Sequence, residues 1–217
     1  MPSSPIIETL LSIGNTCRTK YQIDNFFLKK YADYNPSSQY FDWLMMGNIS
    51  GVTNVIARRF DFSSSMIGLH KAEDKFIPID LLSHHTFLHD FGDGWWEPDH
   101  EKAVTLLQQS MDQTVEKYIY LGQKTHDLLR SEVKVGLVYW GHSSDSDWLN
   151  LLLTIFETYE KKIPVINILE QGHKATLVDG VYTAYVNDSC SPKRGQPTDW
   201  EGWDESWYQA FESLNLL

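Results

Sequence analysis

The chain reads as one α/β domain over residues 1–217: a three-layer arrangement with a mainly parallel sheet, helices on both faces and a hairpin elaboration. Three observations predict it. First, VKVGLVY (133–139), an almost all-round apolar helical run from Asp147 to Lys162 and VINIL (165–169) succeed one another as strand, helix and strand, the order of a parallel βαβ unit. Second, an apolar run from Glu8 to Gly14 passes through a Gly14-Asn15 turn into a segment where Ile23, Phe26, Phe27 and Tyr31 recur at helical spacing. Third, the pieces 66–69 and 76–79 flank the charged turn 71–75, which predicts a hairpin, with 85–91 a further extended piece.

The remaining elements follow in order. After the loop at Asn35-Pro36, the spacing of Val52, Val55, Ile56 and Phe60 predicts a second helix. Pro78 offers no N–H to a ladder and places its strand at an edge. Val104, Leu107, Met111, Val115 and Tyr118 mark a long amphipathic helix from Pro98 to Arg130, opened by Pro98-Asp99 and interrupted near Gly122. Two β-prone runs, 175–178 and 181–186, flank an Asp179-Gly180 turn. Trp203, Trp207, Phe211 and Leu214 share one face of a terminal helix, so Trp200, Trp203 and Trp207 read as core.

Composition narrows function. With 42% hydrophobic and 22% charged residues the chain can bury a core, and its net charge of -11 repels phosphate backbones, so no nucleic-acid partner is expected. The start has neither the basic region nor the long apolar run of a secretory signal, and no window is long enough for a membrane span, so a cytoplasmic protein without membrane attachment is expected. Cys17 and Cys190 form no disulfide framework and are expected reduced.

In parallel sheets ligands bind beyond the carboxyl ends of the strands, which brings the turn after the first strand and the Gly141-His142 turn toward one crevice. Cys17 stands at the first turn of a predicted helix, where unpaired N–H groups and the macrodipole favour a thiolate and lower its pKa from about 8.5. It is then either a nucleophile or, in keeping with how often cysteine is buried, a packing residue. A nucleophilic cysteine needs a base, and His89 precedes an acidic glycine-rich loop from which a side chain can project. Asp42 stands at a helix start, where N-capping is the ordinary role of aspartate. The run from His142 to Asp147 offers N-caps and amides able to meet an anion, yet lacks the Walker lysine and the G-x-G-x-x-G spacing, so no cofactor is expected. His84, His85 and His89 lack the H-E-x-x-H pattern, so no metal is expected.

SIGNTC near the start, FDWL, FLHDF, the strand VKVGLVYWG and the closing DWEGWDESWYQAF together resemble, from Ser12 to Phe211, a bacterial domain-of-unknown-function family described as papain-like cysteine peptidases. That family is expected to carry S-L-G-x-N-C, P-F-D-W, a histidine-aspartate pair and W-x-G-x-x-x-x-W. The resemblance places the family's cysteine on Cys17, its FDW aspartate on Asp42 and its histidine-aspartate pair on His89 and Asp90. The chain departs from the pattern at Asn15-Thr16, before the cysteine, and at Tyr40, where a proline often precedes FDW. A strand running straight into the cysteine turn is closer to a Rossmann-like or esterase-like sheet than to a papain-like protease.

The resemblance implies a hydrolase or acyltransferase in which Cys17 attacks, His89 is the base and Asp90 or Asp42 orients the imidazole. A small-molecule or peptide substrate would meet Asn15, Thr16, Trp43, Gly141, His142 and Ser143. The competing reading is a non-hydrolytic sugar- or nucleotide-sugar-binding or transferase domain, its crevice lined by Gly14, Asn15 and 141–144, with Cys17 a packing residue.

Overall fold

The computed structural model of the chain describes residues 7–14, 16–42, 44–45, 48–87, 89–91 and 97–215. Four strands, β1 (Thr9–Ser12), β6 (Val135–Trp140), β7 (Val165–Glu170) and β8 (Val181–Val186), form an all-parallel sheet in the order β1-β6-β7-β8. Four others, β2 (Leu44–Met45), β3 (Ile67–Ala72), β4 (Lys75–Asp80) and β5 (Thr86–Phe87), form an antiparallel sheet in the order β2-β5-β4-β3. The hairpin expected from the sequence is β3–β4, and the extended piece after it adds β5 as a further strand. Among the described residues five α-helices complete the frame: α1 (Cys17–Lys30), α2 (Ile49–Ala57), α3 (His100–Arg130), α4 (Asp145–Tyr159) and α5 (Asp204–Ser213). Among the described residues no helix is long and apolar enough to cross a membrane.

The two central strands, β6 and β7, read as near-continuous apolar runs because side chains on both of their faces are buried. Alternate residues go opposite ways. Val138, Ile166, Ile168, Ala184 and Val186 pack with Ile23, Phe26 and Phe27 of α1 and with Trp207 and Phe211 of α5. Leu11, Leu137, Tyr139 and Val165 point the other way, into a second cluster with Trp148, Leu151 and Ile155 of α4 and Val52, Val55 and Ile56 of α2. The antiparallel sheet joins this second cluster through Leu44, Ile67 and Phe87.

Several local expectations are corrected. Pro78 lies not on an edge strand but on β4, between β3 and β5 in sheet order. The ladder tolerates it because Phe76 N donates to Glu97 O and Asp80 N to His85 O, so the 76–78–80 register turns its N–H side away from β3, and the missing proline donor falls in the gap between those two bonds. The run 175–178 is not a strand, and β8 lies parallel to β7 rather than forming a hairpin about Asp179-Gly180. Asp42 does not cap α2. Asn48 does, its side chain accepting from Gly51 N at 3.1 Å. The apolar residues of α4 do not all go inside: Trp148, Leu151 and Ile155 are buried, while Leu149, Leu153 and Phe156 are half-exposed. Of the tryptophans near the C-terminus only Trp207 is core; Trp200 is exposed, edge-on to Tyr21 with ring centroids 5.4 Å apart.

α3 runs uninterrupted past Gly122, so that glycine serves packing rather than a break. The chain leaves α2 through two left-handed residues, Arg59 and Phe60, and this drives the Phe60 carbonyl against α3. A Cβ on Gly122 would stand 2.9 Å from that oxygen. Gly122→Ala is therefore expected to lose about 1–2 kcal/mol in urea unfolding, the overpacking cost exceeding the gain of up to about 1 kcal/mol in helix propensity. A stabilised variant would contradict the close approach.

Candidate functional site at the carboxyl edge of the parallel sheet

β1 ends at Ser12, and Ile13 N still donates to Val138 O of β6 at 2.9 Å before Gly14, at φ 98°, turns the chain into α1. That φ suits glycine. Thr16 is the N-cap by backbone position, but its side chain makes no capping bond, and its hydroxyl is buried without a hydrogen-bond partner among the described residues. Cys17 is thus the first residue of α1, a free thiol of intermediate burial. Burial pushes its pKa up, and this outweighs the opposing pull of the Cys17 and Arg18 amides and the Arg18 guanidinium. The helix-start amides therefore reach the sulfur as expected, but the lowered pKa expected from the sequence is corrected: desolvation wins.

The neighbouring residue, Arg18, is the hub of the edge. Its Nη1 lies 3.1 Å from Asp188 Oδ2, Nε donates to Trp200 O at 2.7 Å and Nη2 to Asp199 O at 2.9 Å, while the guanidinium lies over the Trp140 ring, 4.5 Å from its centroid. Asp188 also accepts from Trp203 N at 2.9 Å and from Trp207 Nε1 at 3.0 Å. Glu170, at the end of β7, accepts from the amides of Asp188 and Ser189. These bonds explain the spacing W-x-G-x-x-x-x-W physically. Gly202 sits at φ 81°, and a Cβ there would meet Asp188 Oδ2 and Trp207 Nε1 at 3.0 Å and Arg18 Cδ at 3.1 Å.

The other candidates fall as follows. Asp42 is buried, accepts from Gln39 N at 2.7 Å and lies 3.8 Å from Lys20 Nζ on α1; its Oδ1 has no hydrogen-bond partner among the described residues. Burial, offset in part by Lys20, pushes its pKa up to about 7. His89 is exposed, two residues after β5. Asp90 turns into α3, where its carboxylate pairs with Lys117 and accepts from Tyr118 Oη at 2.9 Å. Asn15 and Trp43 lie outside the described residues.

Gly141, at φ 140°, ends β6 and donates to Ile168 O at 3.1 Å; the His142 ring lies edge-on to that of His173, centroids 4.1 Å apart; Ser143 Oγ donates to Asp147 at 3.0 Å. Cys17 and Gly141 thus follow the carboxyl ends of neighbouring strands, linked through Arg18 and Trp140. The anion role considered for the start of α4 is corrected. Ser144 and Asp147 close a reciprocal capping box, and Asp145 and Asp147 bring two carboxylates to where an anion would sit.

Sequence reasoning missed Arg18, Asp188 and Glu170, whose partners are far away along the chain. It also passed over Asn167, the one polar residue of VINIL and a visible signal in a buried strand. Comparison of the chain with known families, curated proteins and solved structures finds no match.

Proposed function

We propose that the chain is a cytoplasmic, three-layer α/β enzyme of the papain-like cysteine peptidase kind, a hydrolase or acyltransferase whose nucleophile is Cys17. The supporting observation is that chain neighbours of the four candidate residues meet in one buried cluster. Ile13, just before the cysteine turn, Phe41 beside Asp42, Phe87 two residues before His89 and Phe91 beside Asp90 all belong to it. The segments that lead to the four candidates thus share one apolar core.

In this reading the Cys17 thiol passes its proton to the imidazole of His89 as sulfur attacks the acyl carbon. Amides at the start of α1 hold the oxyanion, the leaving group departs with the proton from the imidazolium, and water or an acceptor then takes the acyl group from sulfur. Asp42 or Asp90 orients the imidazole. Because burial keeps the resting sulfur protonated, proton removal belongs to the attack itself, and the chemistry resembles a serine-type step more than a standing thiolate. Asn15, Thr16, Trp43, Gly141, His142 and Ser143 would contact a small-molecule or peptide substrate, and no cofactor is required.

The test is turnover of a simple acyl donor, p-nitrophenyl acetate. Cys17→Ala is expected to abolish acyl transfer, and His89→Ala to slow it by about 10²–10⁴-fold. Unchanged turnover in Cys17→Ala overturns the reading.

A further inference from the structure

The link from β7 to β8 crosses from one parallel strand to the next in residues 171–180 without a helix. It is stapled over the first turn of α4, where Thr176 Oγ1 donates to Asp145 Oδ1 at 2.5 Å. Beneath it lies a space of ≈ 240 Å³ lined by His142, Ser144, Asp145, Trp148, Asn167 and the loop residues 174–177.

The inner wall of this space is unusual. Trp148 and Asn167 are 0% and 2% exposed, yet Trp148 Nε1 and Asn167 Oδ1 have no hydrogen-bond partner among the described residues. Thr183, register partner of Asn167 on β8 and so on the same face of the sheet, also has a buried hydroxyl without a partner among them. Buried polar groups are nearly always hydrogen-bonded, and two unsatisfied ones in the wall of one compartment, with the Thr183 hydroxyl beside Asn167 on the next strand, form a polar template of one donor, one acceptor and one hydroxyl able to act as either.

We propose that this compartment binds a small neutral polyhydroxylated ligand with a single ring, a sugar or cyclitol. One of its hydroxyl oxygens accepts from Trp148 Nε1, and its O–H groups donate to Asn167 Oδ1 and Thr183 Oγ1. The size is in keeping with this: a space of ≈ 240 Å³ has room for one sugar ring. The mouth carries one carboxylate, Asp145, against one ammonium, Lys174, and so has no net positive charge, and the capping box already engages the Ser144 and Asp147 amides that would hold a phosphate. The site shares His142 and Ser143 with the residues proposed to meet the substrate of Cys17, but it needs no chemistry at the sulfur.

Titrating D-glucose, N-acetyl-D-glucosamine and myo-inositol separately, with inorganic phosphate as a fourth probe, while following the tryptophan indole N–H resonances, tests this. The Trp148 signal is assigned by its loss in Trp148→Phe. At least one of the three neutral probes is expected to shift it saturably, equally in Cys17→Ala. Asn167→Leu and the milder Thr183→Val should each weaken binding by about tenfold, the equivalent of one hydrogen bond, with the Trp207 indole signal unmoved as the sign of a folded chain. No saturable shift from any neutral probe, a shift from phosphate alone, or binding unchanged in a folded variant overturns the proposal.

Discussion

Replacing Asp188 with alanine is expected to lower the stability of the chain by about 3 kcal/mol, measured by urea unfolding. The carboxylate gathers three elements: α1 through Arg18, the turn after Trp200 through the Trp203 amide, and α5 through the Trp207 indole. The side chains of Arg18 and Asp188 are only 16% and 8% exposed, so the pair counts as buried rather than as a surface bridge. Removing one partner leaves the guanidinium and the buried indole N–H uncompensated, and that penalty dominates the loss. Asp188→Asn, which keeps an acceptor, should lose less. Arg18→Met together with Asp188→Ala should lose less than the two single losses added, because the residues share one network. A loss under about 1 kcal/mol for Asp188→Ala would show that the C-terminal segment is held by apolar packing alone.

Asp42→Asn is expected to stabilise the chain at pH 8 by up to about 4 kcal/mol, taking about 1.4 kcal/mol for each unit by which a pKa near 7 exceeds the ordinary value of about 3.9. The sign follows from linkage. A folded-state pKa above the unfolded one means that the folded chain holds the proton more tightly, so the wild type gains stability as pH falls from about 7 to about 4 and loses it as pH rises. His85 works the other way. Burial pushes its pKa down to about 3, so the folded chain resists protonating it, and stability is lost as pH falls below about 6.5. The two residues oppose each other between about pH 4 and 6.5. The variant, left with His85 alone in that window, should lose stability on acidification more steeply than the wild type. Thermal melts from pH 4 to 8 read both effects, and parallel pH profiles for the two proteins would contradict the protonated burial of Asp42.

How much of this was legible in the sequence depended on range. The β1 turn, the parallel pairing of β6 with β7 and the Asp99 start of α3 carry local signals: apolar runs, a Gly-Asn turn, a capping aspartate followed by an amphipathic stripe. The errors arose where partners decide. Ala175–Val178 has β-prone residues but only Val178 packs on the core, and Thr176 ties the segment to α4 instead of to a strand. Pro78 reads as an edge residue until Glu97 and His85 are seen to bond on either side of it. The direction of the Cys17 pKa was also beyond the sequence, which shows a helix start but not how much of the sulfur the fold covers. Arg18 and Asp188 are 170 residues apart, a separation no periodicity spans. What remained readable was that Cys17 and Gly141 follow the carboxyl ends of neighbouring strands.

The most direct measurement is the ratio of modification at Cys17 to that at Cys190, read by mass spectrometry at pH 7 for two reagents on the same protein. Iodoacetamide reports resting thiolate and access, so it should favour the exposed Cys190 over a half-buried thiol whose pKa burial has raised. An acyl donor reports assisted attack and a held oxyanion, so p-nitrophenyl acetate should reverse the preference and acylate Cys17. Acylation that follows iodoacetamide and falls mainly on Cys190 would contradict a nucleophilic Cys17.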